Sequence, residues 1–168
     1  MHLIVDGYNL IRQWPQLERL DAQELEAGRQ ALLALLGAYR RRSAHKVTVV
    51  FDGWQGGQPQ ESRDRSQGVM IIYSRLGERA DEVIKRLLAR EQSRAVVVSS
   101  DRELQDAARQ AGAAWMDASQ FAALHLTAMG AEAQEEEAEI RPRGPHKKGP
   151  SRRAPKAQRR LSQRLKKL

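Results

Sequence analysis

The 168-residue chain contains no cysteine. Disulfides and thiolate metal sites are therefore excluded, and the absence fits a reducing compartment. There is also no apolar run approaching the roughly 20 residues needed to span a bilayer. The opening Met1-His2-Leu3-Ile4-Val5-Asp6 does not read as a signal peptide, because a charge arrives before any long apolar region. A cytoplasmic protein without a membrane anchor is the expectation. From Arg141 to Leu168 there is no acidic residue at all, against 12 Lys or Arg. From Glu132 to Glu139 the imbalance reverses, with 5 Glu and no basic residue. Residues 1–131 then retain 17 basic and 16 acidic residues, so the net charge of +8 belongs to an appendage and not to the body.

What is present is a series of short apolar runs separated by helical patterns. His2–Val5 reads as a buried strand stopped by Asp6-Gly7, and Val47–Phe51 as a second stopped by Asp52-Gly53. Val69–Tyr73, Ala95–Val98 and Ala113–Met116 supply three more. Helical spacing predicts helices over Leu25–Tyr39, over Ala80–Leu88, over Ser100–Ala111 and from Phe121 to Met129. Asp21 is expected to cap the first of these with Glu24 three residues on, and Ser100 the third with Glu103. Residues 53–68, rich in Gly, Gln, Ser and charge, read as a long functional loop. The strands are apolar without alternation, which implies burial on both faces and a mostly parallel sheet between helical layers. The expected organisation is an α/β domain over 1–130, an acidic linker or helix extension over 131–140, and a largely disordered basic tail over 141–168 with a short C-terminal helix forming on a partner.

Four aspartates recur in similar places. Asp6, Asp52 and Asp101 follow apolar strands, and Asp81 opens a helix after a glycine-containing turn. In a parallel sheet, strand ends and helix starts share the carboxyl edge, where ligands bind near a switch in strand order. Carboxylates gathered there repel one another unless a cation compensates. Mg²⁺ or Mn²⁺ suits oxygen ligands and can activate water and neutralise charge on a phosphodiester. Each aspartate also has a plainer explanation, as a helix cap or a turn residue. Other chemistries lack their signatures. There is no Asp-x-Asp pair, no P-loop and no Gly-x-Ser-x-Gly, and His2, His45, His125 and His146 are scattered without zinc spacing.

The block Asp6-Gly7-Tyr8-Asn9 after a first strand resembles the signature of the NYN nucleases, and Trp14-Pro15-Gln16-Leu17 resembles the YacP-like branch. Val50-Phe51-Asp52-Gly53, Gly77-Glu78-Arg79-Ala80-Asp81 and Val98-Ser99-Ser100-Asp101 follow in the family's order. The resemblance implies a PIN-like three-layer α/β/α fold and metal-dependent endoribonuclease activity. In the YacP-like branch it further implies cutting of messenger RNA in association with the ribosome. By motif, Asp6 and Asp81 would be the central acidic residues, with Asp52 and Asp101 completing the pocket. Asn9 would be a polar helper near metal or phosphate, or else a turn residue. Arg79 departs from the family pattern, which has threonine there. A binding module of the same fold that docks on RNA or ribosomes without cutting is the alternative.

For RNA contact, Arg63, Arg65 and Arg75 flank the long loop, and Arg79 adjoins Asp81. Trp54 either stacks on an unpaired base or covers the core edge. Trp14 and Trp115 read as packing residues, and Arg40–Arg42 as cations at a helix C-terminus. The tail, including Arg152, Arg153, Arg159 and Arg160, should bind phosphate without reading sequence, and either tethers the enzyme to a ribosome or only solubilises it.

Overall fold

In the computed structural model the described residues are 1–53 and 58–126. Trp54, the acidic stretch and the tail with Arg152, Arg153, Arg159 and Arg160 lie outside them.

Strand β1 (His2–Asp6) leads into helices α1 (Gly7–Arg12), α2 (Pro15–Gln23) and α3 (Leu25–Ser43). There follow β2 (Lys46–Phe51), β3 (Ser62–Ser66), β4 (Val69–Tyr73), α4 (Ala80–Glu91), β5 (Ala95–Val98), α5 (Arg102–Gln110), β6 (Ala114–Met116) and α6 (Ala118–Phe121), which runs on into a π-helical turn over Ala122–Leu126. The sheet order is β3-β4-β2-β1-β5-β6, parallel throughout except for β3, which pairs antiparallel with β4. Because successive side chains of a strand face opposite ways, β1 serves both layers. Leu3 and Val5 pack with Leu10, Ile11, Leu32, Leu36 and Phe121 on one face. Ile4 packs with Val83, Ile84, Leu88 and Leu104 on the other. This is the PIN-like α/β/α arrangement, and no helix among the described residues is long and apolar enough to cross a membrane.

Three local readings are corrected. The long loop contains β3, whose sequence Ser-Arg-Asp-Arg-Ser has no apolar residue; it pairs because β4 offers an open edge. Gln67 and Gly68, both at positive φ (50° and 80°), make the two-residue turn that joins them, as hairpins with right-handed twist require. Asp21 does not cap α3. It sits inside α2, which starts at Pro15, a residue preorganised for a first helical turn. The cap of α5 is Asp101 and not Ser100: its carboxylate accepts the Glu103 N–H at 2.7 Å.

Gly7 illustrates how tightly the carboxyl edge is built. A Cβ there would lie 2.4 Å from the Phe51 ring and 3.0 Å from the Val50 carbonyl oxygen. The glycine after Asp6 is needed for close approach of α1 to β2, and it opens a helix where the Asp-Gly pair suggested a turn.

Candidate active site at the carboxyl edge

After β1 the chain builds outward on one flank through β2 and β4, then returns to lay β5 and β6 on the other. The reversal leaves a crevice at the carboxyl ends of β1 and β5. Asp6 is the last residue of β1, Asp101 follows β5 after two serines, and Asp81 lies in the first turn of α4.

Asp6 is 9% exposed and both its oxygens are engaged. Oδ1 accepts the Asn9 N–H at 3.2 Å, capping α1, and Oδ2 accepts the Ser99 hydroxyl at 3.1 Å. The same Ser99 oxygen accepts the Asp101 N–H at 3.1 Å. One fully buried hydroxyl therefore ties two of the acidic residues together. Asn9 turns its amide oxygen to the Ser100 N–H at 2.8 Å, so it fastens α1 to the loop after β5. Burial pushes the Asp6 carboxyl up to about 6; the Asn9 N–H opposes the shift, Asp81 adds to it, Ser99 opposes it and Asp101 adds to it.

Asp81 is 8% exposed, and burial raises its pKa too. Arg79 opposes that shift, and Asp101 and Glu103 reinforce it. Its Oδ2 is buried without a hydrogen bond. The Arg79 guanidinium lies 3.0 Å from that atom, an ion pair whose angles do not make a hydrogen bond. Arg79 stands at the N-cap of α4, where a cation opposes the helix dipole; the contact with Asp81 offsets that cost.

Asp52 lies just past the end of β2, where Ser74 approaches its Oδ1 at 3.5 Å. Ser74 is 1% exposed, accepts the Gly53 N–H at 2.9 Å and donates to the Glu78 carbonyl at 2.6 Å. It thereby fastens the loop after β2 to the turn that precedes Asp81.

Asp6, Asp81 and Asp101 thus lie within electrostatic reach of one another, while Asp52 is drawn towards β4. Among the described residues, no three His, Asp or Glu side chains sit close enough together to hold a metal ion as a ready cage. Each carboxylate also has a protein partner: Asp6 accepts from Asn9 and Ser99, Asp101 caps α5, and Asp52 is approached by Ser74. The donor set nevertheless fits a hard cation of the Mg²⁺ kind, which takes one or two carboxylates and keeps its waters. The Oδ2 of Asp81, which makes no hydrogen bond and is paired only with the exposed Arg79 guanidinium, is one acceptor for it.

Three of the arginines singled out for RNA have carboxylate partners. Arg63 pairs with Glu61 at 2.8 Å, Arg75 with Glu78 at 3.5 Å, and Arg79 with Asp81. Arg65 is exposed on β3. Arg86 of α4, not foreseen from sequence, bridges Glu61 at 2.7 Å and Glu78. Together with Pro59, Gln60 and Arg75 these line a cavity of about 360 Å³. The three histidines among the described residues are structural. His2 bonds Thr48 at 2.8 Å, His45 bonds the Tyr39 hydroxyl at 3.0 Å, and His125 packs on Tyr39 and Phe121. Trp14 is buried as expected, whereas Trp115 is 36% exposed. Ser74 carries no distinguishing pattern in the sequence, and Ser99, though inside the Val98–Asp101 block, has no role assigned by it.

A single sheet between two helical layers, with carboxylates buried at its switch point, is the arrangement of a PIN-like domain. The model of the YacP-like NYN domain matches residues 3–167, and the chain belongs to that nuclease-type family. It is 37% identical over 85 residues to the uncharacterized protein YacP of Bacillus subtilis (strain 168), a match covering 51% of this chain. That match spans about half the relative's length, 49%. The crystal structure of Rae1 (YacP) from Bacillus subtilis is similar at 25% identity and TM-score 0.64, over 99% of this chain and 91% of that one. A single-substitution mutant of the same protein gives 28% and 0.65, over 83% and 86%.

Proposed function

We propose that this protein is a metal-dependent endoribonuclease that hydrolyses RNA phosphodiester bonds, with messenger RNA on the ribosome as its substrate. The observation that carries the reading is the burial of Asp6 and Asp81 beside Asp101 at the switch crevice, a placement that strains two carboxylates towards protonation. Asp6 and Asp81 would hold Mg²⁺ or Mn²⁺, with Asp101 beside them and Asp52, drawn towards Ser74, at the margin of the site. When bound, such an ion activates water and neutralises charge on the phosphate.

The chain's own residues prepare that chemistry. Ser99 orients Asp6 and Asp101 as a unit through its hydroxyl. Asn9 holds the β5–α5 loop in place and so acts as a positioning residue. Arg79 balances the Asp81 charge in the resting protein and is long enough to turn to a phosphate when substrate arrives. The tail's 12 positive charges would add affinity for any phosphate-rich surface, a ribosome included.

The rival is a non-catalytic RNA-binding module of the same fold. The deciding experiment is cleavage of free and ribosome-bound message with Mg²⁺ or Mn²⁺, comparing the wild type with Asp6→Asn. Cutting by the wild type that is abolished in the variant supports the enzyme; no cutting by the wild type supports the binding module, and undiminished cutting by the variant rejects Asp6 as part of the site.

A further inference from the structure

Trp115 is the most exposed Trp, Tyr or Phe side chain among the described residues, at 36%. It stands on the edge strand β6, opposite Val97 of β5, and its ring belongs to neither apolar cluster. Its orientation is fixed all the same. The indole Nε1–H donates to the Ser99 backbone carbonyl at 2.7 Å. Ser99 is the residue whose hydroxyl holds Asp6 at 3.1 Å, so a single residue links the indole to the buried carboxylate.

An exposed indole whose polar atom is already satisfied by protein has only its apolar surface left to offer. Ser99 joins the two places, its carbonyl taking the indole while its hydroxyl takes Asp6 and the Asp101 N–H. Those carboxylates repel a phosphate backbone but not the neutral face of a base. Unpaired bases stack on such rings whatever their identity. A rigid ring beside a crevice of negative charge therefore suits the base of a nucleotide whose phosphate must be brought close to acids.

We propose that Trp115 is a stacking subsite for an unpaired RNA base, seating one nucleotide next to the Asp6–Asp101 crevice. The proposal rests on the nuclease reading of that crevice, and the test separates the two. The full chain, in EDTA to prevent cutting, is irradiated with a short single-stranded RNA carrying 5-bromouridine, and the crosslink is mapped by mass spectrometry. The expected crosslink is on Trp115; crosslinks confined to other residues overturn the proposal. In parallel, anisotropy titrations of the same RNA compare Trp115→Ala and Trp115→Phe with wild type. Trp115→Ala should weaken single-strand binding about tenfold and Trp115→Phe less than about threefold, with duplex RNA of the same sequence bound equally by all three. Single-strand binding unchanged in Trp115→Ala, or equal loss on duplex, overturns the subsite. Should Trp115→Ala not fold, the wild-type crosslink decides alone. A crosslink at Trp115 in a protein that cuts no RNA with added Mn²⁺ upholds the subsite and sinks the nuclease reading; cutting with crosslinks only elsewhere does the reverse.

Discussion

The two ends of β1 carry two buried ionisable side chains, and they resolve the same problem in opposite ways. His2, at the amino end, is 4% exposed; its Nε2 meets the Thr48 hydroxyl at 2.8 Å and its Nδ1 lies 3.5 Å from Glu91. Burial lowers its pKa, Lys46 adds to that, and Glu91 opposes it. The result is a neutral ring at neutral pH, so the contact with Glu91 is not a full ion pair. Asp6, four residues on, is driven towards its neutral form as well, up to about 6, yet above that pH it is charged. The amino end has been relieved of charge, and the carboxyl end keeps a charge it would fold better without. Strain retained at one end of a strand and removed at the other marks the end where function lies.

The sharpest way to break this contrast is Asp6→Asn. Cleavage should fall more than about 100-fold, because a candidate metal ligand is lost outright. Stability in EDTA should move the other way. A carboxyl whose folded pKa is raised contributes stability that is fully present below its unfolded value of 3.8 and lost as pH climbs through about 6. Ionised Asp6 therefore costs up to about 3 kcal/mol at pH 7.5. Calorimetry should show the variant melting up to about 10 °C higher at that pH, with no gain at pH 3.5. Adding Mn²⁺ should raise the wild-type Tm and leave the variant's unmoved. A Tm lower than wild type in EDTA at pH 7.5 would remove the charge strain from the account.

Ser99→Ala comes next. It takes one hydroxyl from both Asp6 and the Asp101 N–H. Loss of an orienting partner of this kind costs about 10- to 100-fold in activity. Because the Ser99 hydroxyl favours the charged carboxylate, the pH–rate profile should shift its acid limb upward as well, a movement that simple loosening of the fold does not produce. Unaltered cleavage and an unaltered acid limb would mean that Asp6 does not depend on this clamp.

How much of this was legible beforehand depends on what each residue is asked to do. β1, β2, β4 and β5 announced themselves because burial on both faces demands unbroken apolar runs. β3 did not, since a hydrogen-bonded edge strand needs no apolar side chain, and Ser-Arg-Asp-Arg-Ser is written for solvent. Strands alternating with helices in a parallel sheet place the strand ends Asp6, Asp52 and Asp101, with the helix start Asp81, on one edge; the structure draws Asp52 towards Ser74. Their partners could not be placed that way. Ser99 acts on Asp6 across 93 positions and Ser74 on Asp52 across 22, distances over which spacing carries no information. Trp115 reads as a packing residue from sequence; the position of β6 at the sheet edge leaves it exposed.

The amino end supplies the counterpart. His2→Ala should leave cleavage intact and lower stability by about 1–3 kcal/mol, since it opens a cavity and strands the Thr48 hydroxyl. The pH dependence is again opposite in sign to that of Asp6. A lowered histidine pKa gives stability that is complete above the unfolded value of 6.5 and fades as pH falls below it. Wild-type urea midpoints should therefore decline from pH 7 towards pH 5 through His2, and this component should vanish in His2→Ala. A decline of equal size in the variant would assign it to other groups.

Arg79→Thr is the gentlest change, and it tests what keeps the carboxyl end tolerable in the resting protein. The guanidinium is 64% exposed, so its pairing with Asp81 is weak despite the 3.0 Å approach. Two consequences of its removal run in the same direction. Threonine at the N-cap of α4 can accept a backbone N–H that arginine leaves unmet, worth about 1 kcal/mol. A divalent ion arriving at Asp81 no longer competes with a resident cation. Mn²⁺ titrated into the variant and followed by electron paramagnetic resonance should bind about threefold tighter, from a pairing energy of under about 1 kcal/mol. Weaker Mn²⁺ binding would instead make Arg79 a partner of the metal site, holding Asp81 in place for the ion, and the charge at this end of the sheet would then be balanced by design rather than held in reserve.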